Sequence, residues 1–250
     1  MPPIILFCEE GSMAYNYNQT TWMNPNIQYL FDEDITEFDI KDAGYSLIQE
    51  FHLLPDEEIQ RLSKLEKGIT RHIEVGKLQR DNPEFSNKLS TAFAEARKFF
   101  IEMNGINDDD IVSVKKDAIF IIGPAKHLKF GKIQFVPKNK YSSYIRFPHI
   151  HNIEIYYNSD HIDFKQINDH CIDRHRIYMV EFLKKYISKM ENRDPSIKRF
   201  MIKFIMDYKS LQLDEEYYLE FNNKSAEINP LFNYKEILIP LLSIINKEVA

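Results

Sequence analysis

The chain has 250 residues, of which 44% are hydrophobic and 28% charged, and its formal net charge is −6. This length can bury one large or two small cores, and the composition is that of an ordinary globular protein. No run of about 18 uncharged apolar residues occurs, so we expect no membrane association. Because the only cysteines are Cys8 and Cys171, we expect no disulfide framework and a cytoplasmic location.

Charge is distributed unevenly along the chain. The first sixty residues carry twelve acidic residues and one basic residue, Lys41, whereas residues 61–150 carry seventeen basic and ten acidic residues. A basic section within an acidic protein suits contact with a polyanion, although a solvated charged surface gives the same pattern. The abundance of Ile, Lys and Asn is typical of an AT-rich genome, such as that of a virus, a plasmid or a low-GC bacterium.

The first half of the chain predicts an irregular arm, a strand and several helices. Residues 1–34 run from Pro2-Pro3 through a stretch rich in Asn, Tyr, Gln and Thr to Asp32-Glu33-Asp34, so we expect an extended acidic arm or an edge strand, with a protein partner as its candidate contact. A short strand follows at residues 37–40. The spacing of apolar residues then predicts helices at about 42–51, from Pro55, over 71–80 and, most clearly, over 84–104.

The second half predicts a hairpin, two strands and helices. Two apolar runs joined by a charged turn predict a hairpin over residues 111–122. Further strands are expected at 132–136 and 153–157, and the later helices at 178–190, 197–211 and 237–245, the last interrupted by Pro240. This pattern predicts an α+β fold with a small antiparallel sheet, followed by a mostly helical C-terminal part. The predicted divisions are the arm 1–34, an α+β domain 35–147 and a helical region 148–250.

Three segments carry candidate chemistry. In FDIKDAGYSLI (residues 38–48) a strand that ends at Asp39 leads directly into a helix, and Asp117 lies at the tip of the predicted hairpin. KNKYSSY (residues 138–144) places lysines and a tyrosine after a strand. Paired carboxylates at strand ends can bind Mg²⁺, and nearby lysines can contact phosphates. Taken singly, a helix cap is the commoner role for such an Asp39 and a turn for such an Asp117.

The order and spacing of these segments resemble the palm of family B DNA polymerases. The strand-to-helix motif of that family, D-x-x-S-L-Y-P-S-I-I, aligns without a gap with residues 39–48, with Asp39 at the metal-binding position. Tyr45 lies next to the position of the family's tyrosine. The family's hairpin motif, Y-x-D-T-D-S-I-F, is similar to residues 113–120, with Asp117 at its second aspartate and Lys115 at its first.

Two further features extend the resemblance. The family's K-K-x-Y element, which grips the primer–template duplex, looks like Lys138-Asn139-Lys140-Tyr141. A long helix precedes the hairpin in both cases, and a helical thumb follows in the family as a helical region follows here. The resemblance covers roughly residues 37–145 and implies a palm-like and fingers-like domain followed by a thumb-like region.

The resemblance also implies roles for individual residues. Asp39 and Asp117 would be catalytic and would bind Mg²⁺ or Mn²⁺. Nucleic acid, with DNA favoured over RNA, would be bound by Lys138, Lys140, Tyr141, Lys115 and Lys116. A nucleotide is a further candidate ligand, and the residues that would contact it are Tyr45, Lys67, Arg71, Lys77 and Arg80.

Two interpretations of this palm-like region stay open. Lys115 replaces the family's first hairpin aspartate, and a lysine does not ligate Mg²⁺. If Asp39 and Asp117 still pair, one metal ion could support nucleotidyl transfer in viral or mobile-element replication. If Lys115 neutralises them, the region would be a non-catalytic binding or regulatory module that docks to a larger nucleic-acid machine.

The later histidines form a weaker constellation. Scattered surface or core histidines are the commoner explanation, because no compact zinc-ligand spacing is present. The candidate zinc ligands are His149, His151, Asp160 and Asp163. The candidate nucleophile is Cys171, with His170 or His175 as its base.

Overall fold

The computed structural model describes residues 14–149, 152–165, 175–213 and 234–248. It divides into two compact units. The first unit comprises Met1–Ile27 with Asp34–Lys140, and the second comprises Gln28–Glu33 with Tyr141–Ala250. The fold is α+β, as the sequence predicts.

Helices and strands occur in separate runs along the chain, as expected for this class. The strands are β1 (Thr21–Met23), β2 (Tyr29–Ile40), β3 (Ile111–Lys115), β4 (Ala118–Ile122), β5 (Lys129–Phe130), β6 (Ile133–Phe147), β7 (Ile153–Tyr157) and β8 (Ile162–Lys165). The helices are α1 (Ala43–Phe51), α2 (Asp56–Ser63), α3 (Ile69–Asp81), α4 (Pro83–Asn104), α5 (His175–Glu191), α6 (Ile197–Lys209) and α7 (Tyr234–Glu248), with a 3-10 turn at Asp108–Asp110. In the described part of the chain, no helix combines the length and apolar character that crossing a membrane requires.

The sheet of the first unit has the strand order β1-β3-β4-β2-β6, and β5 pairs with β6. The pairs β1–β3, β3–β4 and β2–β4 are antiparallel. Helix α4 packs on this sheet, because the Phe100 ring lies 5.2 Å from Phe38 of β2 and 4.4 Å from Phe135 of β6. All three rings are buried, and burying each contributes about 1.5–3 kcal/mol.

Helix α4 begins and ends where its sequence dictates. The Asn82 side chain caps the helix by accepting a hydrogen bond from the Phe85 backbone amide at 3.0 Å, and Pro83 occupies the first turn. Gly105 ends the helix with a φ of 61°, a conformation that glycine adopts without strain. This helix leads directly to the β3–β4 hairpin.

The second unit contains strands β6, β7 and β8, paired antiparallel in that order, and the helices α5, α6 and α7. Phe182 of α5 lies 4.2 Å from Phe204 of α6, between ring centroids. The Tyr186 hydroxyl of α5 donates a hydrogen bond to the Leu241 carbonyl of α7 at 2.9 Å. These contacts join the three helices around one core.

Several elements differ in extent from their predicted bounds. Strand β2 begins at Tyr29, eight residues before the predicted strand, because alternate side chains of the acidic run face solvent while the others are buried. Strand β6 continues past Pro137 through the whole KNKYSSY segment. Helix α7 continues through Pro240. The predicted division into fingers-like and thumb-like parts stays a prediction.

Candidate functional site

Asp39 lies near the end of β2, where the chain turns into α1. Its Cα partner in β4 is Ala118, and the next backbone amide, that of Ile40, donates to the carbonyl oxygen of Asp117 at 3.2 Å. The register of β2 against β4 therefore brings the two aspartates together. Asp39 does not cap α1, because the residue before that helix is Asp42.

The hairpin tip that carries Asp117 is fixed by a buried arginine of α4. Arg97 donates to the carbonyl oxygen of Lys116 at 2.7 Å and to that of Tyr17 at 2.6 Å. Its side chain is fully buried. Lys116 itself has a φ of 53°, so the turn uses a left-handed backbone conformation at a residue other than glycine.

A lysine from β6 extends toward the carboxylates of β2. Lys138 Nζ lies 3.3 Å from Asp39 Oδ2 and 3.8 Å from Glu37 Oε1. Glu37 is 2% exposed, and its Oε2 accepts a hydrogen bond from Asn139 Nδ2 at 2.6 Å. We call Glu37, Asp39, Asp117 and Lys138 the strand-end cluster.

The electrostatics of the strand-end cluster reflect its excess of carboxylates. Burial raises the pKa of Asp39, the nearby Asp117 raises it further, and Lys138 opposes both effects. Burial alone would lower the pKa of Lys138, but Glu37, Asp39 and Asp117 outweigh it and raise that pKa. The three carboxylates of the cluster therefore attract positive charge, and the single ammonium group of Lys138 neutralises only part of their negative charge.

The strand-end cluster has oxygen atoms suited to a hard divalent cation. Asp39 Oδ1 is buried and accepts no hydrogen bond within the described ranges. Among the described residues no group of three or more His, Cys, Asp or Glu side chains is arranged to hold a metal ion. Mg²⁺ often takes only one or two protein carboxylates and completes its shell with water and substrate phosphates. Asp39 and Asp117 thus fit a cation that arrives with a phosphate ligand.

The predicted nucleic-acid-binding residues fall into two groups by exposure. Lys116, Lys138 and Lys140 are exposed, and Lys140 Nζ lies 3.6 Å from Asp34 Oδ1. Lys115 is partly buried. Tyr141, in the second unit, is 2% exposed, and its hydroxyl donates to Asp163 Oδ2 at 3.2 Å. Lys116, Lys138 and Lys140 are accessible for phosphate contact, whereas Lys115 Nζ is buried and the Tyr141 ring is largely enclosed.

The predicted nucleotide-binding residues are distributed along α1 and the basic segment around α3. Arg71 is buried, stacks over the Tyr45 ring at 4.1 Å and donates to Asp42 and to three backbone carbonyls. Lys77 pairs with Glu74, Arg80 pairs with Asp81, and Lys67 is exposed. Arg71 therefore joins α1 to the α2–α3 region, and the exposed cations are Lys67, Lys77 and Arg80.

The histidine constellation is only partly described. His151, His170 and Cys171 lie outside the described residues, as does the side chain of His175. His149 is exposed, and Asp163 pairs with Lys165 at 2.6 Å. The zinc and nucleophile hypotheses stay predictions.

Sequence reasoning missed two residues that shape the strand-end cluster, Glu37 and Arg97. A signal for Glu37 was present, because residues two apart in a strand face the same side and Glu37 precedes Asp39 by two. Nothing in the local sequence marks Arg97, since its partners Tyr17 and Lys116 are distant along the chain.

Comparison with known families identifies the origin of the chain. Residues 13–246 match the model of a family described as the Bacteriophage PBS1 gene 130 protein. The chain belongs to this family. It is therefore a phage-type protein, in line with the viral origin that its composition suggests. No curated protein matches the sequence.

Proposed function

We propose that this phage protein acts on nucleic acid and that Asp39 and Asp117 bind a divalent cation together with phosphate groups. The observation that carries this proposal is the strand pairing that places Asp39 opposite Ala118 and lets the Ile40 amide donate to the Asp117 carbonyl oxygen at 3.2 Å, and the Asp117 charge also raises the pKa of Asp39. Like charges held together in a partly buried place favour a bound cation. A divalent cation held by two carboxylates can complete its coordination shell with the phosphate oxygens of a ligand.

The order of elements around Asp39 supports a palm-like role. Strand β2 lies between β4 of the hairpin and β6, which carries Lys138 and Lys140. The resemblance to family B polymerases assigns the metal-binding aspartates to the corresponding strand and hairpin, and the duplex-gripping lysines to a later strand. The proposed activity is metal-dependent nucleotidyl transfer during phage replication in the host cytoplasm.

Mg²⁺ or Mn²⁺ would be held by Asp39 and Asp117 and would neutralise negative charge on the phosphates of a nucleotide or strand. Because the protein provides only two carboxylates for it, we expect the cation to bind weakly alone and more tightly with a nucleoside triphosphate. The exposed lysines Lys138 and Lys140 would contact phosphates of the strand. DNA is favoured over RNA only by the family resemblance.

A second candidate function is a cradle that binds nucleic acid without turnover. The specific observation in its favour is that Lys138 Nζ lies 3.3 Å from Asp39 Oδ2, where it offers the carboxylate an internal cation. Such a module would act by docking to a larger nucleic-acid machine, with the acidic N-terminal arm as its contact to a protein partner.

Primer extension with Mg²⁺ or Mn²⁺ tests the enzymatic proposal. We expect extension by the wild type and its loss in the near-isosteric variants Asp39→Asn and Asp117→Asn. The matched control is Asp109→Asn, because Asp109 is an exposed aspartate of the same unit. Extension by the wild type that does not exceed that of the two site variants would leave the non-catalytic cradle as the proposed function.

Mn²⁺ titration followed by electron paramagnetic resonance tests the cation site separately. Asp39→Asn and Asp117→Asn should each weaken Mn²⁺ binding measured with a nucleoside triphosphate, whereas Lys138→Met should strengthen Mn²⁺ binding by removing the competing ammonium group. Equal Mn²⁺ binding by the wild type and all three variants would contradict the assignment of the cation to this pair.

A further inference from the structure

The second unit contains a groove beside the C-terminal half of α5. Its volume is about 450 Å³, within the range of small-ligand sites. It is lined by Tyr157, Ser159, Lys184, Lys185, Ser188, Lys189, Asn192 and Asp194. The first two of these residues belong to the end of β7 and the following turn, and the rest belong to α5 and the turn after it.

Helical spacing explains why so many polar side chains share this groove. Lys184, Ser188 and Asn192 are four residues apart, and so are Lys185 and Lys189, so both rows lie along neighbouring lines of one helix face. The opposite side of the helix is apolar and buried, as Phe182 and Tyr186 show. The fold therefore presents the polar face of α5 to the groove.

The charges that line the groove are predominantly positive. Lys189 donates hydrogen bonds to the carboxylate of Asp194 and to Ser196 Oγ at 2.9 Å, and this bond to Lys189 lowers the pKa of Asp194 to about 2. Lys184 and Lys185 form no ion pair with any side chain that the structure describes. Asp194 therefore neutralises Lys189, and the ammonium groups of Lys184 and Lys185 remain without a carboxylate partner among the lining residues.

The uncharged lining residues add hydrogen-bond donors. Ser159 and Ser188 carry hydroxyl groups, whereas Asn192 Nδ2 donates to the Ser188 carbonyl oxygen at 2.7 Å and lies 3.5 Å from Ser188 Oγ. Hydroxyls, amides and lysines are the groups with which proteins contact phosphate oxygens. Asp194 is the one carboxylate among the lining residues.

We propose that this groove binds phosphate groups, carried either by a nucleic-acid strand or by a free nucleotide. The observation that carries the inference is the concave surface in which Lys184 and Lys185 of α5, neither of them in an ion pair with a described side chain, lie beside the hydroxyl groups of Ser159 and Ser188. The site is independent of the strand-end cluster, because the two share no residue. It stands or falls separately from the proposed cation site.

The test uses the full chain and a charge-reversed pair, Lys184→Glu/Lys185→Glu. The matched control is Lys198→Glu/Arg199→Glu, which reverses two exposed charges on α6 of the same unit outside the groove. The probes are a fluorescent single-stranded oligonucleotide, a nucleoside triphosphate and inorganic phosphate. Circular dichroism and thermal unfolding confirm that both variants fold.

The groove variant should bind the oligonucleotide about tenfold or more weakly than the wild type, because each lost contact is a charge-assisted hydrogen bond. The slope of the logarithm of its binding constant against the logarithm of salt concentration should become shallower by about 1.4, because two phosphate contacts are lost and each contributes about 0.7. The control should retain wild-type affinity.

The probes distinguish the source of the phosphate. Binding of the triphosphate or of inorganic phosphate, with no gain for the oligonucleotide, would support the groove as a site for a free phosphate ligand. Tighter binding of the oligonucleotide would support strand contact. Equal losses in the groove and control variants, or no binding of any probe, would overturn the proposal.

Discussion

Two charged regions of the first unit contain the same kinds of group and arrange them differently. In the region around Arg71, this arginine is buried between helices, and its guanidinium donates to Asp42 and to the carbonyls of Leu62, Ser63 and Leu65. In the strand-end cluster, three carboxylates face one lysine, and Asp39 Oδ1 accepts no hydrogen bond from the described chain.

The difference separates a structural contact from a candidate binding site. A buried cation whose donors are all used stabilises one arrangement of its neighbours and leaves no group for a ligand. Asp42 Oδ1, the carboxylate oxygen not used by Arg71, lies 3.7 Å from His72 Nε2. Because Asp39 Oδ1 and Asp42 Oδ1 both accept no hydrogen bond within the described chain, the feature that sets the strand-end cluster apart is its excess of carboxylates over cations.

The largest expected effect is that of removing the buried arginine. Arg71→Ala should lower the free energy of unfolding by about 3–5 kcal/mol, because it leaves Asp42 and three carbonyl groups without their donor. Urea denaturation measures this loss. The control Arg80→Ala removes an exposed pair with Asp81 and should leave stability nearly unchanged. If Arg71→Ala lost no more unfolding free energy than the control, the interpretation of Arg71 as a stabilising structural contact would be wrong.

The second expected effect concerns the arginine that fixes the hairpin. Arg97→Met should lower the free energy of unfolding by about 2–4 kcal/mol, because two carbonyl oxygens lose their donor at about 1–3 kcal/mol each. Lys98→Met, on the exposed side of the same helix, is the control and should be nearly neutral. Equal stability of both variants would show that the turn is held by its backbone alone.

The smallest expected effect is a dependence on pH. The pKa of Asp39 is raised in the folded protein, so its contribution to stability is present below its usual value of 3.8 and is lost as pH rises through the raised pKa. The free energy of unfolding of the wild type, relative to Asp39→Asn, should therefore fall as pH increases above that value.

Asp81 provides the opposite sign for this measurement. Its hydrogen bond from Arg80 lowers its pKa, so its contribution is present above the usual value and is lost as pH falls. The wild type relative to Asp81→Asn should therefore gain stability with rising pH. Urea denaturation at a series of pH values measures both stability differences. If the wild type gained stability with rising pH relative to Asp39→Asn, as it should relative to Asp81→Asn, the raised pKa of Asp39 would be contradicted.

Local sequence signals account for much of the fold. The apolar spacing of residues 84–104, with Pro83 and Gly105 at the ends, predicts α4 almost to the residue, and the charged turn predicts the hairpin that follows. The predicted β2 and β6 are too short. In both cases a run of charged or turn-forming residues hides the alternation of buried and exposed positions.

The environment of a charged side chain is harder to read. In the sequence, nothing distinguishes Glu37 and Arg97 from solvent-exposed charged residues. Their burial depends on distant partners that only folding brings near, Asn139 for Glu37 and both Tyr17 and Lys116 for Arg97. For the same reason, Arg71 looks like a candidate phosphate ligand in the sequence although its donors are used internally. Proximity of Asp39 and Asp117 was predictable because it follows from strand pairing.

The left-handed residue at the hairpin tip has an evolutionary consequence. Lys116 adopts a φ of 53°, a conformation that disfavours a residue with a Cβ atom by about 1–2 kcal/mol. Drift alone should therefore introduce glycine or asparagine at this position among related phages. Persistence of lysine there would mean that selection acts on its ammonium group, and aligned family sequences are enough to decide it.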